Sequence, residues 1–86
     1  MPKPHAAQAR RDLSPEAAFG RVLREIRQGQ SISQEELAAR SGYHRTYIGQ
    51  LERGEKSPSL RTIFNLAGSL EVSPSGMLAK VERALH

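Results

Sequence analysis

Arg45, Thr46, Tyr47 and Gln50 form the densest group of side chains able to do specific chemistry in this chain. That chemistry is recognition, not bond making. An arginine fork matches the O6 and N7 acceptors of guanine, and a glutamine amide matches N6 and N7 of adenine. Threonine offers a hydroxyl, or a methyl contact to thymine. Tyrosine packs against sugars and bases. Gln50 follows Thr46 by four residues, so a helix would put both on one face. Ile48 and Leu51 are three apart and share the opposite face. A short helix, apolar on one side and donor-rich on the other, suits insertion into a DNA major groove.

Several flanking residues suit the phosphate backbone. Gln34 opens a helix, where free N–H groups favour a phosphate. His44, when protonated, and Arg53 and Lys56, near a loop, are further expected backbone contacts. Loop N–H groups around Lys56 and Ser57 extend the set, and Arg40 and Arg61 are additional cations. Nothing points to catalysis. There is no cysteine, the three histidines are scattered, and neither a Gly-rich phosphate loop nor H-E-x-x-H occurs. No enzyme activity, cofactor or metal is expected.

These residues need a scaffold, and the helix signals supply one. Ser14-Pro15-Glu16 reads as N-cap, first helical position and first turn. Phe19, Val22, Leu23 and Ile26 then follow i, i+3, i+4, i+7, a helix to about Gln28 that Gly29 ends. Ser33 and Glu36 form a capping box for a second helix, with Leu37 and Ala38 inward and Gly42 at its left-handed terminus. A third helix runs from about Arg45 to Arg53, and Gly54 stops it. Gly49 inside it weakens the helix, as a surface glycine or one approached closely by the groove wall. Ser59 caps a fourth helix with a buried stripe of Leu60, Ile63, Leu66, Ala67 and Leu70. Ser73-Pro74 starts a fifth. No strand alternation appears, so the expected fold is all-α, with five helices.

Size and charge agree with a small nucleic-acid binder. The 86 residues, 37% of them apolar, can fill one core. We expect residues 1–13 to be a flexible arm, with Lys3, Arg10 and Arg11 as alternative DNA-wrapping contacts, and residues 14–86 to be the domain. No apolar run reaches the roughly 20 residues of a membrane span and no signal segment is expected, so the location is taken as cytoplasmic. The formal net charge is +4, but residues 28–54 carry three basic and three acidic side chains, a balance of zero. Affinity in that segment must come from placed contacts, with the basic N-terminal third adding attraction.

Together these residues resemble the Cro/repressor-type (XRE family) helix-turn-helix domains. The matching positions are Ser33-Gln34-Glu35-Glu36-Leu37-Ala38, Gly42, Arg45-Thr46-Tyr47-Ile48 and Leu51-Glu52-Arg53-Gly54. Downstream they are Pro58-Ser59-Leu60, Thr62-Ile63, Leu66-Ala67 and Val72-Ser73-Pro74. The resemblance implies a lambda-repressor-like five-helix domain that regulates transcription, usually as a homodimer on double-stranded DNA. Its Arg-Thr-Tyr-Ile run is also similar to that of restriction–modification controller proteins. It further implies that Gln34 anchors the DNA backbone and that Arg27 and Glu52 form a structural ion pair. His44 departs from the family habit of a serine or other good cap at that place.

Leu70, Val72, Met77, Leu78, Val81 and Leu85 exceed what four helices need to cover. The surplus is expected to form a two-fold seam, setting two reading helices one DNA turn apart, roughly 34 Å. A different class of function, an antitoxin-like protein-interaction module on the same fold, is compatible with these features.

Overall fold

The computed structural model describes residues 13–86. Five helices follow in order: α1 (Pro15–Gly29), α2 (Gln34–Ser41), α3 (Arg45–Glu52), α4 (Leu60–Ser69) and α5 (Pro74–Ala84). No strand occurs among the described residues. The arm expected over residues 1–13 lies outside that range except for Leu13. Leu13 is half-buried against the core, so it belongs to the domain and not to an arm.

The starts of α1, α2, α4 and α5 are closed by serine. Ser14, Ser33, Ser59 and Ser73 each accept a hydrogen bond from the backbone N–H three residues on. Ser33 makes only half of a capping box. The Glu36 carboxylate does not turn back; it takes a 2.8 Å bond from Arg40 one turn along α2. The end of α1 also differs from expectation. Gly29 stays helical, and the left-handed residue is Ser31, at φ 60°. The helix therefore runs one residue further before the chain reverses. Gly42 behaves as expected, in the left-handed region at φ 80°, with its N–H on Ala38 O.

The apolar stripes meet in one core. Ala18, Phe19, Val22 and Leu23 of α1 face Leu37, Ile48, Leu51, Leu66, Leu70 and Met77. α1 lies at the centre, packed on α3 and α5, and α4 bridges α2 and α5. Gly20 lets α1 come within backbone contact of α3: a Cβ there would collide with the Leu51 carbonyl and lie 2.6 Å from Glu52 O. The stripe expected on α4 needs one correction. Leu60 is exposed, because Thr62 turns inward in its place and bonds to the Ser59 hydroxyl.

Candidate nucleic-acid interface

α3 is held from beneath and open above. Ile48 and Leu51 are fully buried and fix its inner face. Arg45 and Thr46 are exposed, while Tyr47 and Gln50 are half-buried at the margin of the same outer face. Tyr47 divides its surface between core and solvent. Its ring meets Tyr43 edge-on, with centroids 5.2 Å apart, which limits its rotation. Thr46 and Gln50 thus share the outer side of α3, with Arg45 exposed at its start and Tyr47 at the margin against the core.

The helix is also locked at its far end. Arg27 Nε donates to Glu52 Oε2 at 2.6 Å and Nη2 donates to Oε1 at 3.0 Å, a bidentate pair. Nη1 donates to Ile32 O at 2.9 Å. The two side chains are only 10% and 3% exposed, so the pair is a buried tie between α1 and α3. Hydrogen bonding to Glu52 raises the Arg27 pKa, against the opposing effect of burial. Gln34 joins this node, with Nε2 donating to Glu52 Oε1 at 2.9 Å. One of its two amide N–H groups is therefore turned toward α3.

Gly49 is buried, neither a surface glycine nor open to a groove wall. A Cβ there would lie 3.1 Å from Arg53 Nη1 and 3.8 Å from Gln34 Oε1. Its absence lets these two polar side chains close over the helix.

Two expected DNA-binding arginines carry internal counterions. Arg45 Nε lies 3.2 Å from Glu35 Oε2. Arg53 donates to Glu55 through Nε at 2.8 Å and Nη2 at 3.2 Å. That bond holds the Glu55 carboxyl below its usual range and raises Arg53. All four side chains are more than half exposed, so each pair is weakly held and each arginine exchanges readily onto another anion. The sequence reading missed both acids as partners. Glu55 is close enough in sequence to suggest itself, whereas Glu35 and Arg45 meet only because the turn at Gly42 folds α3 back across α2.

His44 occupies the N-cap of α3 with extended backbone but makes no side-chain cap bond. Lys56 and Ser57 are exposed in the loop after α3. Arg40 and Arg61 are exposed as well.

The expected seam residues do not stay together. Leu70, Met77 and Val81 are buried in the chain's own core, which removes them from any surface seam. The reason is that α5 lays a broad face on α1 and α4. Val72 and Leu85 are half-buried against the core, and Leu78 is 39% exposed. Two other apolar side chains stand out further: Leu60 and Phe64 on α4, beside Tyr43.

Among the described residues no cluster of three His, Cys, Asp or Glu could hold a metal ion, and no helix is long and apolar enough to cross a membrane.

Comparison with known proteins gives the same outline. A helix-turn-helix family model (HTH_3) matches residues 23–77. The control protein C.SmaI of Serratia marcescens is 43% identical over 67% of this chain and 69% of its own length. The restriction–modification controller C.AhdI of Aeromonas hydrophila, a solved structure, is 43% identical with a TM-score of 0.69, covering 71% of this chain and 92% of that one. C.Esp1396I, solved as a tetramer in complex with its natural 35 base-pair operator, is 25% identical with a TM-score of 0.78, covering 85% and 96%. With the α2–turn–α3 geometry and a family match across most of the domain, the chain belongs to the helix-turn-helix family of Cro/repressor type.

Proposed function

We propose that this protein is a sequence-specific DNA-binding regulator of transcription that acts as a homodimer on a pseudo-palindromic operator, in the cytoplasm and without catalytic activity of its own. The observation that carries the reading is the outer face of α3. Exposed Arg45 and Thr46 stand with Tyr47 and Gln50 on a helix whose inner face is buried and whose C-terminal end is tied to α1. Rigid presentation matters because a base contact is worth little if the helix must first be ordered.

In this reading Arg45 exchanges Glu35 for guanine O6 and N7, Thr46 and Tyr47 meet neighbouring base edges and sugars, and Gln50 takes adenine. α2 lies across the phosphates. Ser33 satisfies only the Glu36 N–H, so the N–H groups of Gln34 and Glu35 have no side-chain cap and are directed to the backbone. Gln34 acts from its place on Glu52, orienting α2 on α3, and offers its second amide N–H to the phosphate. His44, Arg53, Lys56 and Ser57 border the groove, where Arg53 exchanges Glu55 for a phosphate. The similarity to the controllers C.SmaI and C.AhdI, and the operator complex of C.Esp1396I, support the assignment of partner.

Selection from a random DNA pool tests it. The expected product is a two-fold related pair of half-sites whose centres are roughly one helical turn apart. A pool with no enriched motif at any salt concentration would sink the proposal.

A further inference from the structure

We propose that the ridge Leu60–Phe64–Gly68 on α4 is the surface on which a second copy of this chain docks; the inference rests on the homodimer just described and names its seam. Leu60 and Phe64 are 68% and 57% exposed, the most exposed large apolar side chains among the described residues. They sit one helical turn apart, and Tyr43, Arg61 and Asn65 border the same open concavity. Gly68 continues the ridge by another four residues. A Cβ on Gly68 would meet nothing within 4 Å, so the chain's own packing does not require glycine there. Yet glycine weakens a helix interior.

The ridge is complementary to itself. A two-fold axis beside Phe64 sets that ring on the second copy's Phe64. The same axis places Leu60 over the second copy's Gly68, a large side chain into an empty position, and repeats the contact in reverse. That reciprocity is what an isologous seam requires. It also follows the row of residues four apart that packs most readily into its counterpart on another helix. α5 offers no such surface, because Met77 and Val81 are spent in the core and Leu78 alone is exposed. α4 is moreover tied to the reading unit. Tyr43 donates to Thr62 Oγ1 at 3.3 Å, its ring meets Tyr47, and Asn65 Nδ2 donates to Ser41 O at 2.8 Å. A seam on α4 therefore fixes the separation of the two α3 helices.

Sedimentation of the full chain, with and without operator DNA, tests the assignment through Phe64→Glu, Gly68→Leu and Leu78→Glu. Gly68→Leu points into open space and Phe64→Glu replaces a side chain already more than half exposed, so circular dichroism should be unchanged. Each should weaken self-association at least tenfold, while Leu78→Glu leaves the dimer intact. A Phe64→Glu or Gly68→Leu variant that dimerises like wild type overturns the seam. So does dissociation caused by Leu78→Glu alone. A wild-type chain that is monomeric both free and on DNA overturns the homodimer itself, and the seam with it.

Discussion

Glu52→Gln should be the most damaging conservative substitution in this protein. The carboxylate accepts three hydrogen bonds, two from Arg27 and one from Gln34, and is 3% exposed. The amide removes the charge and turns a donor toward a guanidinium that has only donors. Arg27 would then keep the Ile32 carbonyl and at most one amide oxygen, with no counterion, in a buried position. Removing one member of a buried pair typically costs about 3–5 kcal/mol, because the other charge is stranded. Total stability of a domain this size is about 5–10 kcal/mol. Each kcal/mol shifts the melting temperature by about 4–8 °C in a domain of this size. Thermal unfolding followed by circular dichroism should therefore show a fall of at least about 12 °C. Glu52→Leu combined with Arg27→Met removes both charges, and apolar replacement of a buried pair is often neutral or better. The double variant should recover most of the loss. A Glu52→Gln variant within about 1 kcal/mol of wild type, or a double variant no better than the single, would refute the view that this node holds α3.

Gly20→Ala gains helix propensity of about 1 kcal/mol but drives a methyl into two backbone carbonyls, so a net loss of about 1–3 kcal/mol should appear in denaturant titration. His44→Ser supplies the missing side-chain acceptor at the start of α3 and should add about 1 kcal/mol by the same titration, a result that a loss of stability would contradict. Lys56→Ala should weaken binding to all sequences alike and reduce the salt slope by about 1, as measured by fluorescence anisotropy across a salt series; an unchanged slope removes Lys56 from the phosphate contacts.

The helices and their order were legible because serine caps, proline at the first helical position and 3.6-residue periodicity are local signals. The amphipathic split of α3 was legible for the same reason: Thr46 and Gln50, four apart, lie outward of the buried Ile48 and Leu51, while the place of Tyr47 between core and surface was not fixed by spacing. What escaped was decided by tertiary packing. Leu60 has the right spacing for the core, but Thr62 fills that side of α4 and leaves Leu60 outside. Met77 and Val81 looked surplus until α5 covered α1 and α4 with them. Gln34 looked like a free amide at a helix head, and only the fold brings Glu52 to it. The zero balance of residues 28–54 acquires a physical form in the pairs Arg45–Glu35 and Arg40–Glu36, while Glu52 and Arg53 take partners from outside the segment, Arg27 and Glu55. Charge counting gave the sum without the partners.

The central claim is that Arg45 reads a base from the outer face of α3. Its direct test is the binding of wild type and Arg45→Ala to the selected operator, and to every single-base variant of one half-site, at one salt concentration. Wild type should discriminate at each position it contacts, and Arg45→Ala should lose about 1–3 kcal/mol on the operator while becoming indifferent at one guanine position alone. An Arg45→Ala variant that weakens all sequences equally, or keeps full discrimination at every position, would contradict the account.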